Sequence, residues 1–317
     1  MFIKVTIACS LISIVSGSNV GGAVFNLTES SPSGGLVIAS ASDRVMLIDS
    51  RSSMTEAQSF TSANGYGDEL RLIDAGGVSV SVPLTRAWLA RSSSRFPEFM
   101  SITPGSCFAE RFGNTMLVPP SETHRTFRLF AGITDPSPHC YEGTMGYANM
   151  PGDAIRLSVQ VSVIAATGQA ILPETGLFSV NPEIQERDEP RFRFGINTDR
   201  RMTQIPHDVY RTWLEEVLTI TGAPDLNSLM RTADLSGFIH EIPSIRLTIF
   251  HSDDSDDIAA IIVLGPEDLV EVTPLGPNIR IESGMSVPTM SLGLTALKHM
   301  SVFLDYENSR IGFCEPI

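Results

Sequence analysis

A short polar loop at the end of an apolar strand occurs twice in this 317-residue chain, and that duplication constrains the fold more than any other feature. Val45-Met46-Leu47-Ile48 runs into Asp49-Ser50-Arg51-Ser52-Ser53-Met54-Thr55. Phe192-Arg193-Phe194-Gly195-Ile196 runs into Asn197-Thr198-Asp199-Arg200-Arg201-Met202-Thr203, with Asn197 lying 148 residues after Asp49. An apolar-Gly-apolar step follows each loop, Met145-Gly146-Tyr147 and then Leu292-Gly293-Leu294. Asp49 to Gly146 spans 97 residues and Asn197 to Gly293 spans 96. Two motifs in the same order at nearly equal spacing predict two related lobes. The length agrees, because a single core stops growing at about 250–300 residues.

The rest of the chain reads as mainly β. Apolar or alternating runs begin at Val45, Gly77, Ile155, Ile245, Ile258 and Ser301, with turn signals at Asn64-Gly65, Pro151-Gly152 and Gly276-Pro277. One helix is predicted after Pro206, where Val209, Trp213 and Val217, joined by Tyr210 and Leu214, form a stripe at helical spacing. Trp213 on that stripe reads as core.

A net charge of -14 makes the long-range field repel phosphate backbones and anionic membrane surfaces, so nucleic acid is excluded as a partner. At the start of the chain, Lys4 precedes an apolar run from Val5 to Val15 and the small residues Ser16, Gly17 and Ser18. This is the pattern of a secretory signal peptide, predicted to occupy residues 1–17. The run is too short to span a bilayer, and no later segment has eighteen uninterrupted apolar residues, so no membrane span is expected. The expected location is therefore outside the cell or in the lumen of the secretory pathway. There Asn26-Leu27-Thr28 would become a usable glycosylation sequon.

Cys107, Cys140 and Cys314 remain after signal removal. Three cysteines cannot all pair internally. A Cys107–Cys140 bridge would close a loop of about thirty residues, contributing roughly 3 to 4 kcal/mol, and would leave Cys314 free. The alternative is that all three are small buried apolar residues.

At the duplicated loops the sequence resembles the pepsin-like aspartic peptidases, in which each lobe carries Asp-Thr/Ser-Gly-Ser/Thr and later an apolar-apolar-Gly element crossing behind it. The resemblance runs from about Val37 to the C-terminus. It is strongest at the end, where Asp305, Asn308, Arg310, Ile311, Gly312 and Phe313 fit the family's closing pattern. The segment from Ile155 to Phe178, with Pro206, Tyr210 and the strand from Ile242, is similar to the plant-type nepenthesin branch. The resemblance implies a bilobal, mainly β fold, with lobes at residues 20–153 and 154–317 around a cleft. A peptide or protein ligand would lie in that cleft, the molecule would be a monomer, and neither cofactor nor metal would be needed.

The family's chemistry uses two facing carboxylates that share one proton, one activating water and the other acting as an acid. Asp49 matches the first. Asn197 stands where the second belongs, and an amide cannot exchange a proton at neutral pH. Arg51 and Asp199 replace the glycines expected after Ser50 and Thr198. Ser52 follows Arg51, whereas Arg200 and Arg201 take the places of small hydroxyl residues. Cations within about 4 to 6 Å of Asp49 would favour its ionised form without restoring a titrating partner. Tyr66-Gly67-Asp68 resembles the start of the family's flap, although Tyr66 follows Asp49 by only 17 residues.

Other clusters point to plainer roles. Asp253, Asp254, Asp256 and Asp257 offer oxygen ligands for calcium but lack the ligand spacing and glycine of a calcium loop, so a solvated hairpin tip is expected. The six histidines show no metal-ligand spacing, and His207 reads as an exposed first-turn residue. Arg91 to Arg95 is a short basic stretch expected on a surface loop. Two functional readings follow. One is an inactive pepsin-like protein that binds a peptide or protein partner. The other is an active endopeptidase pairing Asp49 with an unconventional second acid, for which Asp199 is nearest in sequence.

Overall fold

The computed structural model describes residues 22–30, 34–39, 45–49, 69–83, 98–150, 155–171, 191–231, 237–273, 276–284 and 290–317. The first half contains β1 (Ala23–Glu29), β2 (Leu36–Ala39), β3 (Val45–Asp49), β4 (Glu69–Ile73), β5 (Ser79–Pro83), β6 (Glu98–Ser101), α1 (Cys107–Phe112), β7 (Thr115–Val118), β8 (Phe127–Ala131) and β9 (Gly146–Asn149). The second half opens with β10 (Leu157–Ile164), β11 (Ala170–Ile171), β12 (Arg191–Ile196), β13 (Thr203–Pro206), α2 (His207–Thr221), α3 (Leu226–Arg231), β14 (Ser244–Phe250) and β15 (Ile258–Leu264). It closes with α4 (Pro266–Leu269), β16 (Val270–Thr273), β17 (Gly276–Ile279), β18 (Ile281–Gly284), β19 (Ser291–Leu292), α5 (Leu294–Leu297), β20 (Ser301–Asp305) and β21 (Arg310–Cys314). The protein is mainly β, as its alternating sequence predicts.

Two large sheets hold most of the described strands, while β4-β5 and β16-β17 form two-stranded sheets of their own. One is nine-stranded, in the order β6-β3-β2-β1-β8-β7-β20-β21-β9; the other is built on β15-β14-β10-β12-β19-β13-β18. The central strand β10 alternates in burial, with Val159, Val161 and Val163 in the core, and pairs antiparallel with β12 on one side and β14 on the other. The last two strands, β20 and β21, lie between β7 and β9, so the end of the chain completes the sheet begun by its first residues.

The predicted helix is α2. Val209, Trp213 and Val217 are buried, and the Trp213 indole N–H donates to the Pro243 carbonyl at 2.9 Å, satisfying the one polar atom of a fully buried ring. Pro206 sits immediately before the helix rather than in its first turn, and Gly222, with φ 66°, ends it in the left-handed conformation. His207 is exposed, and its ring Nδ1 meets the Ser283 hydroxyl at 2.8 Å.

A second anchor joins α4 to α5. The Asp268 carboxylate is buried, pairs with Lys298, lies 2.9 Å from His299 Nε2, and accepts the Gly265 N–H at 2.9 Å. Burial pushes this carboxyl up, but the hydrogen bonds and charges of His299 and Lys298 outweigh it and hold the group at about 2.

Candidate functional site

The site is assembled around the loop that leaves β12. That strand runs parallel to β19, with Gly195 opposite Ser291 and Ile196 opposite Leu292, and the Asn197 N–H donates to the Leu292 carbonyl at 2.9 Å. Beyond β19 the chain turns through Gly293, whose N–H donates to Thr203 Oγ1 at 3.1 Å. A Cβ on Gly293 would come within 2.2 Å of the Met202 carbonyl oxygen, so this close crossing requires glycine. The Arg200 and Arg201 carbonyls accept from the N–H groups of Leu294 and Thr295, and the Thr295 hydroxyl also donates to the Arg201 carbonyl at 2.7 Å. Residues 197–203 are thereby clamped onto residues 291–295.

Asn197 is fully buried. Its Oδ1 accepts the Asp199 N–H at 3.2 Å and its Nδ2 donates to Ser291 Oγ at 3.4 Å. Ser291 Oγ donates to Gln204 Oε1 at 3.4 Å, Gln204 Nε2 donates to Glu282 Oε2 at 3.0 Å, and Arg200 pairs with Glu282 at 3.6 Å. A polar chain thus leads from a buried amide out to a half-exposed ion pair. Both ends of the amide are committed, so its orientation is set by a backbone donor on one side and a hydroxyl on the other. Sequence reasoning missed Ser291, Gln204 and Glu282. No local sequence pattern marks them, because only the strand register, with Gln204 opposite both Ser291 and Glu282, brings them together.

The end of β3 meets the second loop at Thr198. The Thr198 hydroxyl donates to the Ile48 carbonyl at 2.6 Å, and the Leu36 N–H donates to the Thr198 carbonyl at 2.7 Å. Ile48 immediately precedes Asp49, the last residue of β3, so the ends of β3 and β12 are brought together. The Asp49 side chain, Ser50, Arg51, Ser52 and Tyr66 lie outside the described residues, as do the 1–17 segment and Arg91 to Arg95.

One spacing argument is corrected here. The strand running parallel to β3 is β6, with Ile48 opposite Met100 and Asp49 opposite Ser101. Met145-Gly146-Tyr147 belongs instead to the approach and start of β9, where Gly146 pairs with Phe313 and packs against the Ala259 carbonyl. The first half therefore reaches its crossing strand about half as far along the chain as the second, with Ser101 where Gly293 stands in the other copy. The matched spacings of 97 and 96 residues compared non-equivalent glycines.

The arginines of the second loop face carboxylates. Arg200 pairs with Glu282 at 3.6 Å and Arg201 lies 3.9 Å from Glu29.

The cysteine expectation is also corrected. Cys140 is bonded to Cys314, joining the turn after β8 to the last strand across 174 residues, and Cys107 begins α1. The shorter loop was favoured in the sequence because sequence proximity stood in for spatial proximity, and β21 is distant in sequence but adjacent in the sheet to β9. Asn26 is exposed on β1, opposite Arg128 of β8.

The acidic segment between β14 and β15 is a hairpin turn organised by an arginine. Arg191 donates to the carbonyls of Ser252, Asp253 and Ser255, pairs with Asp256, and stacks over the Phe250 ring at 3.7 Å. Among the described residues no group of three His, Cys, Asp or Glu side chains could hold a metal ion.

No protein-family model matches the chain, and no curated protein matches it in sequence. Among solved structures it is similar to the crystal structure of the aspartic proteinase from Irpex lacteus. The identity is 13%, with a TM-score of 0.57 over 93% of this chain and 98% of that one. The chain therefore has the bilobal, β-rich pepsin-like fold. Among the described residues, no helix is long and apolar enough to cross a membrane.

Proposed function

We propose that this protein is a secreted pepsin-like peptidase homologue without peptidase chemistry, which holds a peptide or protein ligand in the cleft between its lobes. One observation carries the reading: the residue at the second catalytic position is a buried amide fixed by hydrogen bonds on both sides. In the active mechanism two carboxylates share a proton, so that water is deprotonated as the scissile carbonyl is protonated. Asn197 can donate through Nδ2 and accept through Oδ1, yet it has no proton to exchange. Asp49 would then be a single carboxylate, able to accept a hydrogen bond from a backbone amide in the cleft. A site of this kind binds extended chain without cutting it. The nepenthesin-like segments, the lobes at 20–153 and 154–317 and a monomeric state belong to the same proposal. Secretion is supported by the signal-like start and by a disulfide, which persists in oxidising compartments.

Incubating the mature protein with an unfolded protein substrate between pH 3 and 7, beside an Asp49→Ala variant, tests the proposal. The expected result is no cleavage by either, with saturable peptide binding that weakens in Asp49→Ala. Loss of an acid–base partner typically costs about 10²–10⁴ in rate. Asn197→Asp alone is expected not to restore family-level activity, because Arg51 and Asp199 still replace the loop glycines. Cleavage by the wild type that disappears in Asp49→Ala would overturn the proposal and point to Asp199 as the second acid.

A further inference from the structure

A pocket of about 360 Å³ opens where β9 meets the second sheet, outside the Asn197 site. The seam is held by the Asn149 N–H donating to the His251 carbonyl at 2.8 Å and by His251 Nδ1 against the Tyr147 carbonyl at 3.0 Å. We infer that this pocket binds a small zwitterion of amino-acid size, its carboxylate on Arg156 and Ser158 and its ammonium on His251 and Asp254.

The cationic side is built from unspent groups. Ser158 is only 5% exposed, and its hydroxyl has no hydrogen-bond partner. A buried hydroxyl without a partner is unfavourable, and a ligand oxygen would supply the missing hydrogen bond. Strand alternation sets Leu157 and Val159 in the core and turns Ser158 to the other face, opposite Arg193 and Phe250 in register. Arg156, two residues earlier, is exposed and has no ion pair among the described residues. A guanidinium with all its donors available matches a planar carboxylate in two parallel hydrogen bonds.

The accepting side is equally specific. The Tyr147 carbonyl can only accept, so His251 Nδ1 carries the donated proton in that contact, and in the tautomer this selects Nε2 is an acceptor. Asp254 adds a carboxylate with no ion pair among the described residues, whereas Asp253 is bound to Arg193 at 3.1 Å. A polyanion such as phosphate would meet these two aspartates unfavourably, and a simple cation would meet the arginines. A molecule carrying one carboxylate and one ammonium satisfies both sides, with Phe250 supplying an apolar wall. The volume lies in the range of small-molecule sites.

The test is a titration of the full mature protein with L-leucine, followed by amide chemical shifts, beside acetate and N-acetyl-leucinamide. Saturable shifts around residues 149–158 and 250–254 are expected with leucine, and none with the two controls. Arg156→Gln is expected to weaken binding at least about tenfold, the scale of one lost charge-assisted pair. Ser158→Ala and Asp254→Asn should each weaken it about three- to tenfold. Arg156 is exposed, and an unchanged thermal midpoint in its variant establishes that the fold is intact. No saturation up to about 20 mM leucine would overturn the inference. So would unchanged affinity in Arg156→Gln, or acetate binding as tightly as leucine. Asp49→Ala should leave leucine binding unchanged, which separates this site from the cleft.

Discussion

Replacing Asp268 by Asn removes one charge from a buried cluster and keeps its shape, so the energetic consequence can be worked from the structure. The carboxyl is 2% exposed and held at about 2 against an ordinary 3.8. A folded pKa below the unfolded one means that ionisation stabilises the fold. The contribution is complete well above 3.8 and is lost as pH falls towards 2. A difference of this size corresponds to about 2.5 kcal/mol at neutral pH, and partial exposure of Lys298 and His299 brings the expectation to roughly 2 kcal/mol. The Asn amide oxygen can still accept the Gly265 N–H, so the helix start is retained. Urea unfolding followed by tryptophan fluorescence, with wild type and variant compared at pH 7 and pH 3, reads the effect. The expected gap is roughly 2 kcal/mol at pH 7 and about half that at pH 3, with the urea slope unchanged. A gap that is the same at both pH values would refute the electrostatic account, as would a gap under about 0.5 kcal/mol at pH 7.

Thr198→Val should destabilise the fold by about 1–2 kcal/mol, because the Ile48 carbonyl loses its buried donor, and chemical denaturation measures it. Cys314→Ser should cost more. A crosslink across 174 residues restricts the unfolded chain by up to about 5 kcal/mol, and measured losses of native disulfides are typically 2–5 kcal/mol. Peptide mapping of the unreduced protein should recover Cys140 and Cys314 in one linked fragment, and a Cys107–Cys140 fragment would refute the pairing.

The second lobe's loop was legible in sequence because each of its contacts involves a residue type with a narrow use. Asn197 follows an apolar strand, and Gly293 marks a backbone crossing that no side chain can enter. The helical stripe of Val209, Trp213 and Val217 was equally plain, since burial at that spacing has few other causes. The first lobe was harder. Its crossing strand carries Ser101 in place of glycine, so nothing in β6 announces the parallel register with β3, and Gly146 attracted the assignment instead. The polar chain from Asn197 to Glu282 was invisible for a different reason. Serine, glutamine and glutamate at separations of 78 to 94 residues carry no local pattern, and only the strand register brings them into contact.

The insertion of β20 and β21 between β7 and β9 has a consequence for how the molecule is made. A ribosome delivers the chain from its start, and the first nine strands emerge long before residues 301–314 exist. Until residues 301–314 emerge, β7 and β9 each present an unpaired edge to their surroundings, exposing open N–H and C=O groups to other nascent chains. A product truncated before Ser301 would keep both edges permanently. Such fragments should be retained by chaperones or aggregate, while chains that extend through Cys314 supply the missing sheet partners.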